Sequence, residues 1–243
     1  MSVCLLFAAT PSASQDAHDP FEILQKIDSN MVFKSAYAEM EMVITIKNRK
    51  IIKELKSYSV GNERSFIEFL SPARDRGTKI MKKDGVIKIY YPSAERVMRL
   101  SGHMLRQSMM GSDMSYEDMT ERSKKLREEY AGEMHPDDVL NGRNCFVMTL
   151  TSRDQKQTYY KRKIWVDKDK HIGLREELYS KSGKLIKVLN VTDIRSFENR
   201  YYPVEMTMED KLRKDSSTRI IIKKIDFNID IPADTFSERM LMK

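Results

Sequence analysis

The sequence predicts a mainly β (α+β) protein built on one curved antiparallel sheet, with helical segments as its cover. Three observations predict this. About a dozen short runs alternate apolar and polar residues, turn-forming pairs separate them at even spacing, and helical periodicity is confined to the start and middle of the chain. An antiparallel meander of that length curls, closing or half-closing into a barrel. The 243 residues suffice for a sizeable core, and 40% apolar with 33% charged residues is the composition of a folded globular chain.

The first fourteen residues carry no charge. Val3 to Ala9 is a short apolar run, and Pro11, Ser12, Ala13 and Ser14 follow it. That pattern predicts a secretory signal peptide over 1–14, cut at Ser14–Gln15 and lacking its basic leading region, as if the true signal began earlier. No later stretch has the roughly 18 apolar residues of a membrane span. The expectation is an exported, soluble protein with one domain over 15–243. After the cut Cys145 is the remaining cysteine, so no intramolecular disulfide is expected, and its apolar neighbours predict a buried thiol.

Asp19-Pro20 reads as an N-cap and first-turn proline, and Phe21, Leu24, Ile27 and Met31 recur at helical spacing, so residues 20–31 are predicted to form an amphipathic helix. In the strand that follows, Ala38, Met40, Met42 and Ile44 are predicted to face the interior, and Glu39 and Glu41 to face water. Further strands are predicted near 50–60, 63–70, 78–82, 86–91 and 95–100, with a hairpin turn at Asp84-Gly85. Residues 121–130 are rich in helix formers and run from acidic to basic, as the helix dipole favours. Strand patterning resumes at 143–151, 157–166, 172–180, 184–193, 202–210 and 217–227.

Between these halves lies the stretch RVMRLSGHMLRQSMMGSDMSYEDM, residues 96–119. Six of its residues are Met: Met98, Met104, Met109, Met110, Met114 and Met119. Met is unbranched and polarizable, fills irregular apolar space and suits surfaces that accept several shapes. The spacing follows neither period 2 nor period 3.6, and Gly102 and Gly111 interrupt it. Residues 101–131 therefore read as a methionine-rich helical and loop insertion acting as a mobile apolar flap, against the plainer reading of core filling. Ser112, Asp113 and Ser115 could also simply cap the helix that follows, with Asp118 and Glu121 in its first turn.

Chemistry-bearing constellations are scarce. The chain has no Gly-rich phosphate loop, no GxSxG elbow and no HExxH, and its four histidines are widely spread, so no catalytic residue, cofactor or enzyme activity is predicted. A net charge of +7 suits anionic partners such as membrane headgroups. Nucleic acid is not expected, because the chain lacks an aromatic stacking motif and reads as exported. One alternative is an exported copper-binding protein, since thioethers suit Cu(I) and His103-Met104, Met109-Met110 and Met114 could supply them. The interleaved Leu105 and Tyr116 fit an oily surface better.

Three stretches resemble the outer-membrane lipoprotein-sorting family, the Lol-type periplasmic carriers, and especially its extended sorting-protein-like branch. The first runs from Phe69-Leu70-Ser71-Pro72 through Gly77-Thr78-Lys79-Ile80 and Ile89-Tyr90-Tyr91-Pro92 to Arg96 and Arg99. The second is Gly111-Ser112-Asp113-Met114-Ser115-Tyr116-Glu117-Asp118, similar to a GSD-aromatic-SYED segment with Met114 at the aromatic position. The third is Ile225-Asp226-Phe227-Asn228-Ile229-Asp230-Ile231-Pro232, followed by Phe236. The resemblance implies a half-open β-barrel with helices over its concave apolar face. It also implies a periplasmic carrier that shelters acyl chains of a lipid or lipoprotein on the way to the outer membrane, served by membrane-associated donor or acceptor complexes, with no catalysis. A sensing domain of the same fold, binding lipoprotein without delivering it, is a further alternative.

On that reading the cavity and lid residues are Met40, Met42, Ile44, Met98, Met104 and Leu105, with Met109, Met110, Met114 and Tyr116. Arg96 and Arg99 are the expected headgroup contacts. Val97 shares a face with Arg99 and Met98 with Arg96, so one arginine points toward the cavity. No metal site is predicted.

Overall fold

The structure is a computed structural model and describes residues 18–119, 123–198 and 200–243. The expected signal segment 1–14, its cut site, Cys4 and Glu121 lie outside the described residues.

Helix α1 (Pro20–Met31) starts where the Asp19 carboxylate accepts the Phe21 N–H at 2.9 Å, and Pro20 supplies a first residue that needs no hydrogen bond. Six strands follow: β1 (Ser35–Ile46), β2 (Arg49–Val60), β3 (Arg64–Ser71), β4 (Lys79–Lys83), β5 (Val86–Tyr91) and β6 (Arg96–Leu100). A stretch of 3-10 turns and the short helix α2 (Ser123–Glu129) lead to β7 (Tyr130–Leu140), β8 (Arg143–Ser152) and β9 (Lys161–Asp167). Then come β10 (Gly173–Tyr179), β11 (Leu185–Phe197), β12 (Arg200–Asp210), β13 (Ser216–Phe227) and helix α3 (Glu238–Met242). Asp84-Gly85 and Asn141-Gly142 both have positive φ at each residue, the backbone of a two-residue turn whose twist matches the strands it joins.

All thirteen strands form one antiparallel sheet, ordered β6-β5-β4-β3-β2-β1-β13-β12-β11-β10-β9-β8-β7, and the sheet is curved and unclosed. The first strand pairs with the last at the centre, so the free edges are β6 and β7. The chain between them, residues 101–129, must therefore pass from one edge to the other. Thirteen strands laid flat would separate those edges by about 58 Å, at roughly 4.8 Å per strand gap. The connection coils and doubles back at a Ser108–Ser115 bridge, and it spans the sheet because the sheet curls.

Register shows one continuous face. Met134, Met148, Ile164, Glu176, Leu189, Met208, Thr218, Ile44 and Ile51 pair in a single lateral row from β7 to β2. Of the predicted inward residues, Ala38, Met42 and Ile44 are buried and Met40 is half-buried. Glu39 is exposed; Glu41 is half-buried beside Lys223, 3.0 Å away. The opposite face is covered at β2–β6 by the C-terminal segment, where Phe236 and Leu241 pack on Phe66 and Met81.

Two expectations are corrected. Residues 130–140 form an edge strand, whereas the sequence pattern shows a helix ending at 130 and no strand after it. Gly132 and Pro136 hide the strand: an edge can hold a proline that cannot donate, and the register shift between His135 and Asp138 leaves Pro136 unpaired. The strand expected at 157–166 begins only at Lys161, because Tyr159 turns into the interior.

Gly132 also seats the helix. A Cβ there would lie 3.0 Å from the Pro20 ring and 3.2 Å from the Phe21 ring. Gly132→Ala is therefore expected to lift the start of α1 and cost about 1–2 kcal/mol, because overpacking is relieved only by backbone movement. Urea denaturation tests this, and an unchanged midpoint would show that α1 shifts freely.

Candidate functional site

The methionine segment closes over the β1–β6 half of the concave face. Met42, Ile44, Met109 and Tyr116 are buried in one cluster with Phe69, Ile80, Ile87 and Ile89. Met40, Met104, Leu105, Met110, Met114 and Met119 are half-buried against it. Met98 joins the same face through its pairing with Ile89 and is half-buried. Burial pushes the Tyr116 hydroxyl well above its usual pKa, with Tyr91 adding to the effect. Both arginines of β6 are exposed. Arg96 shares the concave side with Met98, while Arg99 shares the convex side with Val97, which packs into the cluster around Phe236.

The segment is bolted down at its centre, which differs from the mobile flap expected along its whole length. The Asp113 carboxylate accepts the Thr218 hydroxyl at 2.6 Å, and its N–H donates back to that oxygen at 2.8 Å. Arg213 donates to the carbonyls of Ser112 (2.6 Å) and Gly111 (3.1 Å). Asp118 accepts from Lys187 (2.8 Å), from the Tyr159 hydroxyl (2.7 Å) and from Ser115 N–H (2.7 Å). Lys82 donates to Met119 O at 2.6 Å. Asp113 and Asp118 thus fasten the segment to β11 and β13, where the capping reading made them helix starters. By contrast Gly102–Arg106, which carries Met104 and Leu105, is flanked by exposed residues on both sides.

A cleft of about 280 Å³ lies in the other half, between α1 and strands β9–β11. Leu24, Ile27 and Met31 of α1 form its roof, Ile164 and Leu189 its floor, and Leu126 of α2 one side. Arg162 lies on its wall in an ion pair with Glu176 at 2.7 Å, with side chains only 4% and 16% exposed. None of the sequence-predicted site residues lines this cleft. Its roof was nonetheless visible as the helical stripe of 20–31, and Ile164 as part of a predicted strand. Arg162 gave no signal apart from the run of cations at 161–163.

Among the described residues, no cluster of three or more His, Cys, Asp or Glu could hold a metal ion, and no helix is long and apolar enough to cross a membrane. His103 is exposed, while Met109 is sealed among apolar side chains.

A family model described as "Uncharacterized protein" matches residues 61–243. The chain belongs to that family. No curated protein matches it. Among solved structures it is similar to an outer membrane lipoprotein-sorting protein domain from Vibrio parahaemolyticus, at 22% identity and TM-score 0.82 over 92% of this chain and 98% of that one. A DUF1329 family protein from Desulfovibrio piger gives 23% and 0.83 over 91% and 97%. A LolA superfamily protein from Nitrosomonas europaea gives 22% and 0.73 over 90% and 97%. At these identities the likeness shows the fold, and it agrees with the lipoprotein-sorting resemblance carried by the three sequence stretches.

Proposed function

We propose that the protein is a periplasmic carrier that shelters acyl chains of a lipid or lipoprotein on its concave face during transport toward the outer membrane. The observation that carries this reading is the apolar cleft between α1 and the sheet, on a face whose other half is closed by flexible methionines. The lipoprotein-sorting fold of the similar structures supports it, as does the signal-like start of the chain.

The energetics suit a carrier. Taking an acyl chain of about 15 methylenes out of water gains on the order of 12 kcal/mol, at roughly 0.8 kcal/mol each. At about 280 Å³ the cleft sits at the lower edge of the roughly 300–1,000 Å³ of ordinary ligand pockets, so a long acyl chain is expected to widen it by displacing the side chains of α1. When cargo leaves, those side chains refill the space, which lowers net affinity and permits release. Of the two headgroup candidates, Arg96 is the one on the concave side of the sheet, on β6 and outside the lining of the cleft.

Mass spectrometry of organic extracts from the natively purified protein tests the proposal, together with titration by a fluorescent fatty acid. Ile27→Trp should fill the cleft and weaken fatty-acid binding at least about tenfold, the loss of roughly 1.4 kcal/mol, with the far-ultraviolet circular dichroism unchanged. A protein that carries no extractable lipid and binds no fatty acid would end the carrier reading. Undiminished binding by the Trp variant would move the cargo out of this cleft.

A further inference from the structure

We infer that one end of the sheet is a docking surface for an anionic lipid bilayer. The strands alternate in direction, so their connections fall at two ends. One end collects the β1–β2, β3–β4, β5–β6, β8–β9, β10–β11 and β12–β13 turns. These turns are contiguous: the Lys47 N–H donates to Asp215 O at 2.7 Å, Lys181 donates to Gln155 at 2.6 Å, and Arg74 lines a groove with Arg49 and Lys50.

Charge is distributed unevenly between the two ends. Lys47, Arg49 and Lys50 on the first hairpin are exposed with no acid among them. Lys181 and Lys184 are the same on β10–β11; on β12–β13 Lys214 is exposed beside Asp215, while Lys211 pairs with Glu209 and the half-buried Arg213 holds the Ser112 and Gly111 carbonyls. Every turn at this end is net basic except β5–β6, where Glu95 and Arg96 cancel. At the opposite end the turns and their flanking residues mix Glu63, Asp84, Asp169 and Glu198 with Arg64, Lys83, Arg143, Lys168, Lys170 and Arg200, so acids and bases nearly balance. The chain's positive charge is therefore concentrated on one rim.

The same rim carries two of the large exposed apolar side chains; Val139, at 63%, stands beside the β7–β8 turn of the opposite end, where the turns taken together are not net basic. Ile52 is 53% exposed and Leu212 56%, on two separate hairpins. Ile52 also edges a groove of about 580 Å³ floored by Ile46, Ile51 and Pro72 and bordered by Arg49, Lys50 and Arg74. Apolar tips standing among cations match the order of a bilayer surface, with headgroup phosphates outside and the acyl boundary beneath. An acidic protein would satisfy the cations but leave the two tips unused, which favours the bilayer. This surface is separate from the cleft beneath α1, and its test does not depend on cargo.

The experiment is co-sedimentation of the whole chain with vesicles of phosphatidylcholine alone, or mixed in equal parts with phosphatidylglycerol, at low and moderate salt. The wild type should bind only the mixed vesicles and release as salt rises. Lys50→Glu/Lys214→Glu should bind at least about twenty-five-fold more weakly, each lost cation near an anionic surface being worth roughly fivefold and each added carboxylate weakening binding further. Ile52→Ser/Leu212→Ser should also weaken binding, and Lys34→Glu/Lys170→Glu at the opposite end should match the wild type. The residues changed are exposed except Lys170, which is half-buried over the Tyr201 ring, and thermal melts confirm the fold of all three variants. The proposal is overturned if wild-type protein ignores mixed vesicles at low salt, or if reversal at the opposite end weakens binding as much. Capture of an acidic protein by a rim that binds no vesicles also overturns it.

Discussion

Lys187→Met is expected to destabilise the protein by about 3–5 kcal/mol, because it strands the Asp118 carboxylate without its cation in a largely dry site. The two side chains are 6% and 10% exposed and lie 2.8 Å apart. Tyr159 and Ser115 N–H would still solvate Asp118, which places the loss toward the lower half of that range. In a chain of this size each kcal/mol moves the melting temperature by about 2–4 °C, so a fall of about 6–12 °C should be visible. Lys187→Met/Asp118→Leu should recover much of the loss, since removing both members of a buried pair leaves no orphan charge. For contrast, Arg239→Ala should cost less than about 1 kcal/mol, because the Arg239–Asp234 pair sits in water. Guanidinium denaturation of these three variants and of Asp118→Leu alone measures all this. A double-variant loss equal to the sum of the two single losses would mean that Lys187 and Asp118 act independently and that no ion pair anchors the segment.

That anchor shows what the sequence disclosed and what it concealed. Strand alternation is a local signal, so β1 to β6 and β8 to β13 could be read from the chain nearly in place, and so could α1 from its Asp19-Pro20 cap and its stripe of Phe21, Leu24, Ile27 and Met31. β7 escaped because its Gly132 and Pro136 are tolerated only at an edge, and edge position is a property of the finished sheet. The partners of Asp118 lie 41 and 69 residues away, and no spacing rule links them. Methionine enrichment drew attention to a segment that packs on the concave face. It did not reveal that the open space lies under α1, since a cleft is set by where two elements fail to meet. Composition gave the net charge of +7 but not its gathering on one rim, which follows from strand direction.

The methionine segment itself should divide into anchor and lid under the same substitution. Glutamine keeps the length and flexibility of Met while adding an amide that is costly to bury without partners, at about 1–3 kcal/mol. Met109 is 4% exposed at the centre of the cluster with Phe69 and Ile80, so Met109→Gln should lower stability by about 2–4 kcal/mol once lost packing is added. Met104 lies half-buried on the 3-10 turn that begins at Gly102, whose φ of +54 marks a bend. His103 beside it is exposed and the bonds of Asp113 and Asp118 do not reach it, so its amide can turn to water and Met104→Gln should cost less than about 1 kcal/mol. If this turn moves aside for an acyl chain, the same variant should bind a fluorescent fatty acid about tenfold more weakly, because the chain then meets an amide where it met a thioether. Met104→Leu keeps the oil and removes the sulfur, so it should bind lipid like the wild type. Lipid binding retained alongside lost Cu(I) binding in that variant would favour a copper site. Unchanged lipid binding by Met104→Gln would end the role of this turn as a lid and leave α1 as the element that must move.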